Sequence, residues 1–338
     1  MRSVSWISAV AAAIVLALGA GQAQAAQFEL VILDDANEGL NDPESRSPVG
    51  GNSGTTLGEQ RQIVLEAAAE AWAEVLDLSV DLLIGASFPE LDCEETSGIL
   101  GSAGPAAAVI NFSGAPQADT LYTIAQANTI TGQSSLDQGE VHIFTQYNAQ
   151  LDEGSSGCLG GNTWYYGLDG NPPGGTIALF PVVLHELAHG LGFLTFVDLE
   201  TGALAGPAGS DGFEDAYMQF LRDTEEDLDW TDMSDALRAE SATNDPHVVW
   251  TGPIVDEQSS IVTSSDAFSD DRIRMHAPEE LRLGSSISHW TPDAHPPLLM
   301  EPSLQAGVFN QLDLTPALFE DIGWPMSGGV IFRDRFEQ

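Results

Sequence analysis

The sequence predicts an α/β chain of the α+β kind, and three features carry that expectation. In the first half, short runs of branched residues between turn formers flank one long amphipathic helix. Near the middle, a strongly apolar helix ends on a glycine. The second half is irregular until a short helix with clear start and stop signals near its end.

Phe28 to Leu33 is apolar and suits a first strand, and Asn41 to Gly58, rich in Gly, Pro, Asn and Ser, reads as a loop. Thr56-x-x-Glu59 is a capping box: the threonine side chain accepts the free N–H of Glu59, and the glutamate accepts that of Thr56. The helix so opened runs to about Leu76, with Val64, Ala68, Trp72, Val75 and Leu76 on one face. That face needs a sheet to cover it, and Val80 to Ile84, Ala107 to Phe112 and Val141 to Phe144 supply candidate strands. His142 falls in the third of these and reads as structural or as part of a substrate-binding edge. Gly154 to Gly175 reads as a long loop placed over a cleft.

Beyond Phe193, Thr201 to Gly212 is a Gly/Ala loop and Asp211 to Arg222 is expected to be helical. Asp223 to Asp229 reads as a solvated acidic face, with Asp211, Glu214 and Asp215 the grouping that could hold calcium. Thr315 and Pro316 read as N-cap and first residue of the last helix, Leu314 and Phe319 as its hydrophobic staple, and Gly323 with Pro325 as its stop. Trp324 should be buried against that helix, and Ser327 to Gln338 should fray.

Composition bounds the setting. Residues 1–25 carry a charged start at Arg2, an apolar stretch from Ile7 to Ala20 and the small-residue site Ala23-Gln24-Ala25, which together read as a secretory signal. The expected location is therefore extracellular, or periplasmic, with no transmembrane segment. Removing those 25 residues from the 338 leaves 313, enough for a sizeable core. Cys93 and Cys158 are the only cysteines, and an even pair in an exported chain reads as one disulfide. The 51 acidic residues against ten basic ones, all arginine, give a net charge of −41 and exclude nucleic acid as a partner.

The middle helix carries His185-Glu186-Leu187-Ala188-His189 and then Gly192. Two histidines four residues apart lie on one helix face, so both imidazoles reach one ion, and zinc suits that pairing. Glu186 then stands beside the metal, where a carboxylate can take a proton from water and pass it to a leaving amine. The chemistry expected of such a motif is peptide-bond hydrolysis. A catalytic zinc needs a third protein ligand, and spacing alone does not choose among His142, His247, His276, His289 and His295.

The motif with its glycine resembles the metzincin zinc signature, in which a third histidine normally follows three residues after the glycine. Here that position is Thr195. In the leishmanolysin-like branch of metzincins an insertion separates the glycine from the third histidine. Ser288-His289-Trp290 and then Leu298-Leu299-Met300-Glu301-Pro302 is similar to that arrangement. The resemblance implies His289 as third ligand, with His295 the nearest competitor, and Met300 in the methionine turn beneath the zinc.

Looser similarity to secreted bacterial relatives of that branch extends to Val49-Gly50-Gly51-Asn52, Leu100 to Pro105 and Asp313 to Trp324. The resemblance further implies a two-lobed zinc metalloendopeptidase acting on protein or peptide substrates. Its N-terminal lobe, of twisted sheet and helices, would span residues 26–193. A less regular C-terminal lobe would span residues 194–326, followed by a tail over 327–338. The edge of Val141 to Phe144 would align the substrate. Alternatives are a gluzincin with Glu200 or Glu214 as third ligand, a secreted binding or adhesion protein that keeps the zinc fold without catalysis, and a zinc hydrolase of another amide.

Overall fold

A computed structural model describes residues 26–207, 209–305 and 308–328. The expected signal segment, and the tail from residue 329 on, lie outside the described residues. The chain is a mixed α/β protein. Its elements in order are β1 (Phe28–Ile32), α1 (Leu57–Val75), β2 (Leu82–Ser87), β3 (Gly101–Pro105), β4 (Ala108–Val109), β5 (Thr120–Thr123), α2 (Ile124–Thr131) and β6 (Ile143–Tyr147). Then come β7 (Thr163–Tyr165), β8 (Thr176–Ala178), α3 (Leu179–Leu191), β9 (Glu214–Asp215), β10 (Leu221–Asp223), β11 (Leu228–Asp229) and α4 (Asp235–Ser241). The last are β12 (Val248–Trp250), α5 (Pro253–Gln258), β13 (Phe268–Ser269), β14 (Arg272–Ile273) and α6 (Thr315–Asp321). No helix among the described residues is long and apolar enough to cross a membrane.

The capping box forms as read: Thr56 Oγ1 accepts from the Glu59 N–H at 3.2 Å, and Glu59 Oε2 accepts from the Thr56 N–H at 3.1 Å. It fixes where α1 starts, and thereby which face is buried. Val64, Ala68, Trp72 and Val75 are all in the core. The Trp72 indole N–H also donates to the Leu184 carbonyl at 3.1 Å, so α1 grips α3 one residue before the first motif histidine.

The main sheet runs β1-β2-β6-β3, with β1, β2 and β6 parallel and β3 antiparallel at the edge. Two sequence expectations need correction here. Of Ala107 to Phe112, only Ala108–Val109 is a strand, and it pairs with β5 outside the main sheet. The fourth strand is Gly101–Pro105, whose Gly, Ser, Ala and Pro have low β propensity; pairing with β6 overrides that preference. Consequently Val141 to Phe144 is no edge, because β6 lies between β2 and β3. The helix α3 crosses β6 closely. A Cβ on Gly190 would stand 2.3 Å from Ile143 Cγ2, so only a glycine permits that approach.

The expected loop Gly154 to Gly175 contains β7, which pairs in parallel with β8 just beyond it, and Cys158 is joined to Cys93 as expected. The helix expected over Asp211 to Arg222 is absent; that stretch holds β9, a short 3-10 turn and β10. Its cause is Asp215, 2 % exposed, whose carboxylate turns inward and accepts from the Thr195 hydroxyl and from the Phe196 and Met218 amides, each at 2.7 Å. The acidic run also begins inside the protein: Asp223 is fully buried and accepts from Ser241 and Asn244.

At the end, α6 begins with Thr315 as its first residue, one earlier than read, and Asp313 serves its start by accepting from the Leu314 amide at 2.6 Å and the Thr315 hydroxyl at 3.3 Å. Trp324 is buried against Phe319, and its N–H donates to the Leu191 carbonyl at 3.1 Å. The end of α6 is thereby tied to the end of α3. The rings of Phe193, Trp290, Trp250 and Tyr217 pack on one another in edge and tilted contacts.

Candidate metal centre

The helix α3 puts His185 and His189 on one face, one turn apart, and Gly192 ends it at φ 123°, a conformation only glycine adopts without strain. That turn brings the Phe193 carbonyl back to His189 Nδ1 at 2.9 Å. His289 arrives from a distant bend whose neighbours are fixed by backbone bonds from Ile287 N–H to the His276 carbonyl and from His276 N–H to the His289 carbonyl. The three Nε2 atoms lie 3.1, 3.1 and 3.3 Å apart.

Those contacts are not hydrogen bonds. Each Nδ1 faces a backbone carbonyl, Leu299 for His185 at 2.8 Å, Phe193 for His189 at 2.9 Å and Ser285 for His289 at 2.8 Å. A carbonyl only accepts, so each ring carries its proton on Nδ1, and three Nε2 lone pairs point at one another. Burial holds all three rings neutral, moving His185 down to about 4, His189 to about 3 and His289 well below its ordinary value. Three lone pairs facing each other repel unless a cation sits among them. Among the described residues this is the one set of three His, Cys, Asp or Glu side chains able to hold a metal ion.

Comparison with known proteins finds no match to this chain, whether among family models, curated proteins or solved structures.

Glu186 is 7 % exposed, and burial pushes its carboxyl up to about 8, partly opposed by the Ala103 backbone amide of β3. A carboxyl poised near neutrality can both take and return a proton. Met300 is fully buried, and its carbonyl accepts from the Trp290 N–H at 2.8 Å, beside His289. Thr195, at the position of the short motif's third histidine, donates its hydroxyl to Asp215 at 2.7 Å.

The other candidates lie elsewhere. His142 is buried between the Leu83 amide and Asn128, a structural role, and Glu200, Glu214, His276 and His295 are outside the converging set. The calcium grouping loses Asp215, whose carboxylate already accepts three hydrogen bonds from protein donors. Sequence reasoning did not find the three carbonyls that orient the imidazoles, because every residue carries a carbonyl and none leaves a signature in the sequence.

Proposed function

We propose that the chain is an exported zinc-dependent endopeptidase of the metzincin type, in its leishmanolysin-like branch, with the two lobes meeting at the histidine site. The observation that carries the reading is the convergence of three Nε2 lone pairs, with the buried carboxyl of Glu186 next to His185 in sequence. A zinc ion about 2.0–2.1 Å from each nitrogen of a tetrahedral site spaces its ligands about 3.3–3.4 Å apart, close to the separations here, and neutral imidazole is a preferred zinc donor. Bound zinc supplies Lewis-acid polarisation of the scissile carbonyl and acidifies water.

The chain supplies the rest. Glu186 accepts the proton of the attacking water and returns it to the departing amine, and its raised affinity for a proton matches both steps near neutral pH. β3, the terminal strand of the main sheet, would take the substrate-aligning role in place of β6, with backbone groups other than the Ala103 amide, which serves Glu186. A Cβ at Gly104 would meet nothing within 4 Å, so the face of β3 at that point is open. The test is Glu186→Gln, assayed for zinc content and for casein hydrolysis. Retained zinc with turnover lost supports the assignment; a fully active variant removes Glu186 as the base.

A further inference from the structure

We infer that Asp313 is a positioning residue for the metal centre, acting on His185 through the peptide unit of Leu299. The inference rests on the metal-binding reading of the three histidines and not on hydrolysis. The Asp313 carboxylate divides its two oxygens between two segments. Oδ1 accepts from Leu314 and Thr315 at the start of α6, and Oδ2 accepts from the Leu299 amide. The carbonyl of the same Leu299 accepts the Nδ1 proton of His185 at 2.8 Å. The next residue along, Met300, gives its carbonyl to the Trp290 N–H adjoining His289. One short turn therefore orients the first ligand directly and holds the neighbour of the third, although those two ligands are 104 residues apart in the chain.

Capping alone does not explain an aspartate here. A serine or threonine hydroxyl serves a helix start equally well and carries no charge into the interior. Burial pushes the Asp313 carboxyl up to about 6, so the site bears the cost of an anion for which the amide and hydroxyl bonds only partly compensate. What two oxygens add is the ability to join two segments at once. Glu301 works alongside it, its Oε1 accepting from the Leu298 amide at 2.9 Å, so carboxylates hold two successive amides of the turn. A His185 ring whose carbonyl partner can drift loses the orientation that aims Nε2 at the ion, and such outer partners are worth roughly 10–100-fold in metal affinity.

The experiment compares Asp313→Asn with Thr315→Val in the full mature chain. Asparagine has one carbonyl oxygen and cannot serve both segments; the valine removes a cap contact and leaves Leu299 alone. Zinc dissociation constants come from competition with a chromophoric chelator, with folding checked by circular dichroism. The cobalt(II)-loaded protein then shows, in proton NMR, the exchangeable Nδ1–H signal of each ligand histidine. The expected result is a zinc dissociation constant raised roughly 10–100-fold in D313N. The His185 signal should be displaced, that of His189, which is held by Phe193, should stay, and T315V should match wild type. If D313N does not fold, D313E, whose longer arm misplaces the carboxylate, should displace the same His185 signal. Unchanged affinity and signals in a folded D313N, or equal weakening in D313N and T315V, overturn the positioning role. A wild-type chain that takes up neither zinc nor cobalt overturns the metal reading itself, which is a distinguishable outcome.

Discussion

Acidification should release zinc from this protein far later than from a site of ordinary histidines. Free imidazoles titrate near 6.5, so at pH 5 each is about 97 % protonated, and a site needing three neutral rings would lose about 10⁴-fold in affinity between pH 7 and pH 5. Here burial lowers His185 to about 4 and His189 to about 3, with His289 also well down. The direction is that of a cation kept out of a low-dielectric site: the neutral, metal-competent rings persist as pH falls, until the folded values are crossed. At pH 5 the rings together contribute only a small factor. Glu186 works the other way, since a metal cation stabilises its anion and so releases its proton on binding; one proton adds at most about tenfold per pH unit.

The net expectation is a loss of under about 100-fold from pH 7 to pH 5, well short of the 10⁴-fold of the unperturbed case. Chelator competition across that range, with circular dichroism confirming the fold at each pH, reads it directly. A folded protein that loses more than about 1000-fold by pH 5 would refute the claim that the Nε2 atoms are buried and neutral.

Three further outcomes follow from local geometry. Replacing Cys93 and Cys158 by serine should destabilise the folded chain by about 4 kcal/mol in chemical denaturation, from the entropy of a loop closed across 65 residues, with the midpoint falling and little effect on zinc content. Gly190→Ala should cost about 1–3 kcal/mol, because its Cβ would meet Ile143 Cγ2 at 2.3 Å and α3 would have to lift from β6. His295→Ala and His276→Ala should bind zinc like wild type, since neither ring joins the converging set; metal loss in either would reopen the choice of third ligand.

What the sequence made legible was local. Thr56 and Glu59 announce the start of α1 because both halves of the cap lie within four residues, and His185 with His189 announces a shared face for the same reason. His289 was found only through resemblance, since no period or spacing links residues 100 positions apart. The misses are places where distant partners overrule local preference. Gly101–Pro105 becomes a strand because β6 presents an open edge, against the inclination of its own residues. The stretch from Asp211 to Arg222 looks helical until Thr195 and Phe196 claim the carboxylate of Asp215. Thr315 looks like a cap until Asp313, two residues earlier, is seen to serve both the start of α6 and the turn at Leu299.

In the proposed function, three imidazoles from two distant parts of the chain hold one catalytic zinc. The most direct measurement is the metal content of the purified mature protein by native mass spectrometry, set beside that of His289→Ala, with casein hydrolysis recorded on the same samples. One zinc per wild-type chain, with metal and activity lost together in H289A, is the expected result. A wild-type chain free of metal, or an H289A protein that keeps its zinc and its turnover, would contradict it.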